Sequence, residues 1–92
     1  MLLPPKKGKR LHTGNFLQVM SRAAISIDFD AGKRVIEIEF INGDVYHYYK
    51  VPQQLWTGIL EVIAAGDSLG TYLNQHFKAE VARLDIDYRR IL

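Results

Sequence analysis

Asn42-Gly43 sits between two runs that alternate apolar and polar residues, and no other pair in the chain constrains its fold as strongly. Upstream, Val35 to Ile41 sets Ile36, Ile38 and Phe40 against Glu37 and Glu39; downstream, Asp44 to Val51 returns as a strand rich in Val and Tyr. Extended runs joined by Asn-Gly predict a β-hairpin, because both residues accept the positive φ of a tight reversal. Ala24 to Phe29 alternates in the same way, Ile25, Ile27 and Phe29 against Ser26 and Asp28, and Asp30-Ala31-Gly32-Lys33 supplies the next turn. The pattern predicts a three-stranded antiparallel meander of half-buried strands.

The register at Asn42-Gly43 decides what the central Tyr46-His47-Tyr48 run does, since alternation puts both tyrosines on one face and His47 on the other. A two-residue turn opposes Phe40 to Val45 and places the tyrosines on the outer face with Glu37 and Glu39, where they could stack bases. A three-residue loop, Ile41-Asn42-Gly43 with a left-handed Gly43, opposes Ile38 to Tyr46 and Ile36 to Tyr48, so the tyrosines join the core and His47 meets Glu37. The second register is favoured because it unites the aromatics with the Ile-Ile-Phe face, although it leaves Ile41 in a loop.

Pro52 suits a helix start, and Leu55, Ile59, Val62 and Ile63 fall at helical spacing with Trp56 and Leu60 widening the stripe until Gly66. Asp67-Ser68 can cap a second helix carrying Leu69, Tyr72, Leu73, Phe77, Val81 and Leu84. Gly70 is out of place inside that pattern; it indicates either close approach of another backbone or a later helix start. Asp85 to Leu92 is expected to be a short final strand or an ordered tail. The expected architecture is an α+β domain, a three-stranded meander followed by two helices, over residues 21–92. Residues 1–20 are expected to form a basic, flexible arm in which Phe16 to Met20 makes a helical turn or an edge segment.

The net charge of +2 conceals a division along the chain. Residues 1–22 carry Lys6, Lys7, Lys9, Arg10 and Arg22 without an acid, whereas residues 23–92 carry seven bases against ten acids. With no cysteine, there is no disulfide framework, thiolate metal site or thiol nucleophile. No apolar run approaches the length of a membrane span, and a cytoplasmic home is the expectation.

Val19-Met20-Ser21 leading to Ile27-Asp28-Phe29-Asp30, then Ile36, Ile38 and Phe40 before Gly43, Tyr46-x-Tyr48, Val51-Pro52, Ser68-x-Gly70-x-Tyr72 and Asn74 succeed one another in an order that resembles the KTSC domain family. That family is named for the C-terminus of lysyl-tRNA synthetases and also occurs as stand-alone small bacterial proteins. The chain departs from the family's usual residues at Asp28 (Gly), Leu73 (Phe) and Lys78 (Arg). The resemblance implies an α+β fold and no established activity, with RNA binding as the usual suggestion.

Enzymatic and metal chemistry find little support in the residues. His12, His47 and His76 lie far apart with no metal-ligand spacing, Asp67-Ser68 is better explained as a helix cap than as a nucleophile, and Gly66 and Gly70 do not make a phosphate loop. The expectation is a non-enzymatic module without cofactor, metal or membrane partner. RNA or another nucleic acid is the first candidate ligand, held by Lys6, Lys7, Lys9, Arg10, Lys33, Arg34 and Lys50 with Tyr49 for stacking. The alternative is a protein partner or a homo-oligomer, anchored on Trp56 and Leu60.

Overall fold

The Asn42-Gly43 reversal adopts the three-residue register. Gly43 has φ +93° and donates its N–H to the Phe40 carbonyl at 2.9 Å, and Phe40 donates to Asp44 at 2.8 Å. Ile38 therefore opposes Tyr46, Ile36 opposes Tyr48 and Glu37 opposes His47. Ile41 is left in the loop, 59% exposed.

The structure is a computed structural model that describes residues 2–4 and 8–92. Among them, β1 (Leu2–Leu3), β2 (Leu17–Gln18), β3 (Ala24–Asp30), β4 (Val35–Phe40), β5 (Val45–Tyr48) and β6 (Tyr88–Arg90) form one sheet in the order β1-β6-β5-β4-β3-β2. The meander β3-β4-β5 is as expected, and the final segment is a strand, β6, antiparallel to β5. Two further strands come from the leading segment. β2 pairs antiparallel with β3, and β1 pairs parallel with β6, so each covers an edge that would otherwise present unpaired backbone groups.

One face of the sheet carries the helices. α1 (Gln53–Ala64) starts at Pro52, whose φ of −64° and ψ of 145° make it the cap rather than the first helical residue. It stops at Gly66, where the Gly66 N–H bonds to Ile63 and the Asp67 N–H to Val62, a Schellman closure that needs the φ of +74° found at Gly66. Ser68 caps the second helical segment, its hydroxyl accepting from the Thr71 N–H at 3.2 Å. From there α2 (Leu69–Tyr72), a π-helical turn (Leu73–Phe77) and α3 (Lys78–Arg83) run on without a break, the junction residues keeping right-handed helical dihedrals. Gly70 lies in the first turn of a helix that starts only at Leu69, where the interior cost of glycine does not apply; a Cβ there would meet the Ala23 methyl at an ordinary contact distance of 3.4 Å, so the later helix start accounts for it.

Ile27, Phe29, Ile36, Ile38 and Tyr48 pack from the sheet against Leu55, Trp56, Ile59, Leu73 and Phe77. Trp56 is 4% exposed and stacks on Phe29 at 5.3 Å between ring centroids and 21° between planes. Leu60 is half-buried against the same core. Neither residue is the surface anchor that the wide stripe on α1 suggested; the core has room because the meander is long enough to seat the indole over Phe29.

The leading segment departs most from expectation. Residues 8–18 form an ordered strap laid across the sheet face opposite the helices. Gly8 bonds to Ile91 beside β6, Leu11 reaches Glu37 in β4, Thr13 reaches Asp28 in β3, and the chain then becomes β2. The face expected to be solvated is covered, with Ser26, Asp28, Glu37 and His47 all less than 9% exposed.

Trp56→Ala is expected to lower stability by about 3–5 kcal/mol, the usual cost of deleting a large core aromatic. A urea titration reads this as a lower midpoint, and a loss below about 1 kcal/mol would contradict the core placement.

Candidate functional site

Polar residues meet the strap at the middle of the sheet. Glu37 Oε1 accepts from Arg10 Nε at 2.8 Å, while Oε2 accepts from the Leu11 N–H at 2.9 Å and from His47 Nε2 at 2.8 Å. Arg10 also reaches the Ser26 hydroxyl and lies 3.4 Å from Glu39. Beside this cluster, the Thr13 N–H and hydroxyl both donate to the Asp28 carboxyl, and Asn15 donates to the Phe29 carbonyl. Burial alone would raise the Glu37 carboxyl. The bonds from His47, Arg10 and Leu11, with the Arg10 charge, outweigh it and hold the group at about 2 instead of 4.5. These groups are satisfied internally, which makes the cluster a fastening for the strap.

The helix face is different. The three tyrosines Tyr46, Tyr48 and Tyr88 lie side by side on adjacent strands, with centroids 5.5 to 6.4 Å apart. Two phenylalanines stand nearly perpendicular to them, Phe40 against Tyr46 and Phe77 against Tyr48, each at 86°. The helices cover Tyr48 but leave Tyr46 and Tyr88 half-exposed, and the space above them is an open groove of about 830 Å³. Its rim carries Asn42, Asp44, Asn74 and Lys78, and Ile41 extends the apolar surface outward. Asn74, Phe77 and Lys78 come from the π-helical turn and its exit, a local geometry that recurs at functional sites. Burial pushes the Tyr48 phenol up, and the neighbouring Tyr46 and Tyr88 add to the effect, so it stays a neutral hydrogen-bond donor. Arg90 stands opposite Tyr46 on the same sheet face and is exposed.

A third cluster lies where β3 turns into β4 and β5 ends. The Val51 N–H donates to the Arg34 carbonyl at 2.9 Å, which brings Lys33, Arg34 and Lys50 to one end of the sheet, all exposed. Arg34 and Lys50 hold left-handed conformations, φ 57° and 54°, which are uncommon for residues with a Cβ. Tyr49 is half-buried with its ring near His47.

The residues singled out by sequence thus divide. Lys33, Arg34, Lys50 and Tyr49 are neighbours, and Lys9 is exposed on the strap. Arg10 is withdrawn into the ion pair with Glu37 and is not a free cation. Lys6 and Lys7 lie outside the described residues. Tyr46, Tyr48 and Asn74 line the groove; Val51 is buried, Pro52 and Ser68 are caps, and Tyr72 packs toward Gly58, where a Cβ would collide with its hydroxyl. Tyr88, which sequence reasoning did not join to the tyrosine pair, completes the floor of the groove, and Arg90 stands opposite Tyr46 outside the lining. Their alternation with Ile86 was the available signal. Among the described residues no group of three His, Asp or Glu side chains could hold a metal ion, and no helix is long and apolar enough to cross a membrane.

An α+β sheet with helices on one face, a capped second helix and a tyrosine-floored groove defines the class of domain. The KTSC domain family model matches residues 20–80, and the chain belongs to that family. An uncharacterised protein of Stutzerimonas stutzeri (strain A1501) is 34% identical over 62 residues, which is 67% of this chain and 82% of that protein. The family match includes the floor of the groove at Tyr46 and Tyr48, whereas the strap and β6 lie outside it.

Because the Glu37 carboxyl is lowered on folding, its contribution is fully present above pH 4.5 and is lost as pH falls toward 2, a span worth about 3 kcal/mol. Urea titrations across that range are expected to show a steeper loss for the wild type than for Glu37→Gln. Arg10→Ala should lower stability at neutral pH by about 1.5–3 kcal/mol, the worth of a hydrogen bond to a charged group.

Proposed function

We propose that this protein is a non-enzymatic binding module for single-stranded nucleic acid, with bases seated in the groove floored by Tyr46, Tyr48 and Tyr88. The half-exposure of Tyr46 and Tyr88 in an open groove carries this reading, since an aromatic face at the surface can stack a base of any sequence. Asn42 and Asn74 on the rim offer amides of the kind that hydrogen-bond base edges, and Lys78 and Arg90 stand where a sugar-phosphate chain would pass. The acidic excess of residues 23–92 works against long-range attraction, so affinity on this reading comes from stacking and a few local cations. A cytoplasmic setting accords with it. A second reading, a protein partner in the same groove, is favoured by Ile41, whose exposed side chain extends the apolar surface at the rim.

Fluorescence anisotropy with labelled single-stranded RNA at low ionic strength tests the first reading. Tyr46→Ala and Tyr88→Ala should each weaken binding about 5- to 150-fold, the equivalent of about 1–3 kcal/mol per stacked base. Lys78→Gln and Arg90→Gln should each reduce the salt slope by about 0.7. Absence of binding at low salt, or binding indifferent to both tyrosines, would remove it.

A further inference from the structure

The sheet ends at β2, and nothing among the described residues pairs with its outer side. Leu17 opposes Ile27, Gln18 opposes Ser26, and the Val19 N–H donates to the Ile25 carbonyl at 2.9 Å, so Leu17 and Val19 turn their backbone groups toward β3. Alternation then turns those of Phe16, Gln18 and Met20 outward. The Phe16 N–H is taken by a turn to Thr13, which leaves the Phe16 carbonyl and both backbone groups of Gln18 and Met20 facing solvent. Such an edge is ordinarily blunted by charge, proline or a covering segment. Here the nine residues from Thr13 to Ser21 carry neither charge nor proline. Phe16, Leu17 and Met20 are three of the six large apolar side chains that are exposed among the described residues, so exposed apolar surface is concentrated at this edge. Leu17 and Val19 lie on the helix side, where Val19 lines an open groove of about 620 Å³ that reaches Ile63 and Leu69; Phe16 and Gln18 lie on the strap side.

We propose that β2 pairs antiparallel with β2 of a second copy of this chain, about a two-fold axis at Gln18. In that register each Gln18 N–H donates to the carbonyl of the partner's Gln18, and each Met20 N–H to the carbonyl of the partner's Phe16. The Phe16 N–H, already spent on the turn, is not needed. Phe16 then faces the partner's Met20 on the strap side and Leu17 faces the partner's Val19 on the helix side, apolar pairs of the kind that hold adjacent strands together. Arg22 comes opposite the partner's Gly14, so no like charges meet. Centring the pair on Val19 instead would set Phe16 against the partner's Arg22 and lose these matches. The axis stands perpendicular to the sheet, so two six-stranded sheets join into one with both sets of helices and both tyrosine grooves on the same side. Pairing does not depend on what the groove binds, but a ligand long enough to reach both grooves would be held twice. Five residues a side make a small interface, below about 1,200 Å² in total, so association is expected to be reversible and concentration-dependent.

Sedimentation velocity of the full chain over a concentration series, at low ionic strength and without nucleic acid, tests this, and a monomer–dimer equilibrium is expected. Gln18 is exposed and turns its backbone outward, so replacing its side chain leaves the fold intact. Gln18→Lys and Gln18→Glu each set like charges directly opposite at the axis, and each variant alone should dimerise about fivefold or more weakly than the wild type. An equimolar mixture of the two places opposite charges there and should recover association. A wild-type chain that stays monomeric up to about 1 mM would overturn the pairing and leave the edge to a different chain or to solvent. Dimerisation unchanged in both variants would put the interface elsewhere, and a mixture no more associated than its parts would remove the two-fold at Gln18; either result overturns it.

Discussion

The Glu37 carboxylate lies in the middle of the sheet, 1% exposed, and everything on that side of the molecule depends on how it is satisfied. An ionised carboxylate without partners would cost far more than a domain of this size can offset. Here three donors converge on it, and two of them, the Arg10 guanidinium and the Leu11 N–H, come from a segment 26 or 27 residues away in sequence. Satisfying Glu37 therefore means holding the strap in place. The strap in turn shields Ser26 and Asp28, delivers β2 to one sheet edge and follows β1 on the other.

This division of labour leaves the two faces with different characters. Where the strap crosses β3 and β4, the polar groups Ser26, Asp28 and Glu37 are buried and paired, so that part of the surface is closed. On the helix side, the core ends before the sheet does: Tyr48 is covered by Phe77, while Tyr46 and Tyr88 extend past the helix into an open groove. The same three-residue loop that puts Tyr46 on the apolar face also carries Ile41 and Asn42 to the rim. Register and groove are thus one feature, and a slip of one residue would turn the tyrosines toward the strap.

Local signals are the ones legible in the sequence. The hairpin, the meander, the Ser68 cap, the Gly66 stop and the helix start just before Gly70 each depend on residues a few positions apart or on a backbone preference. The strap is not legible because its fastenings pair residues far apart, Arg10 with Glu37 and Thr13 with Asp28, and leave no periodic trace. Basic residues without an apolar period suggest a flexible arm, and alternating acids suggest a wet face; each is half of one buried interaction. Asp28 belongs to the same arrangement, its carboxyl held by Thr13. A helical stripe carries no information about the volume available to it, so Trp56 reads as a surface anchor, whereas in the fold Phe29 receives it. Of the candidate binding residues, the tyrosine pair is visible at once, but its partners Tyr88 and Arg90 depend on the final strand returning beside β5.

If carboxyl groups in the sheet hold the strap as part of the folded structure, its backbone amides must be protected from solvent along with those of the strands. Amide hydrogen exchange at Leu11 and Thr13 reads this, because their N–H groups donate to Glu37 and Asp28. Protection at both positions should approach that of the β3 and β4 amides and be lost together in Glu37→Ala. Exchange of Leu11 and Thr13 at the rate of an unstructured peptide, with β3 and β4 still protected, would contradict the strap's place in the fold.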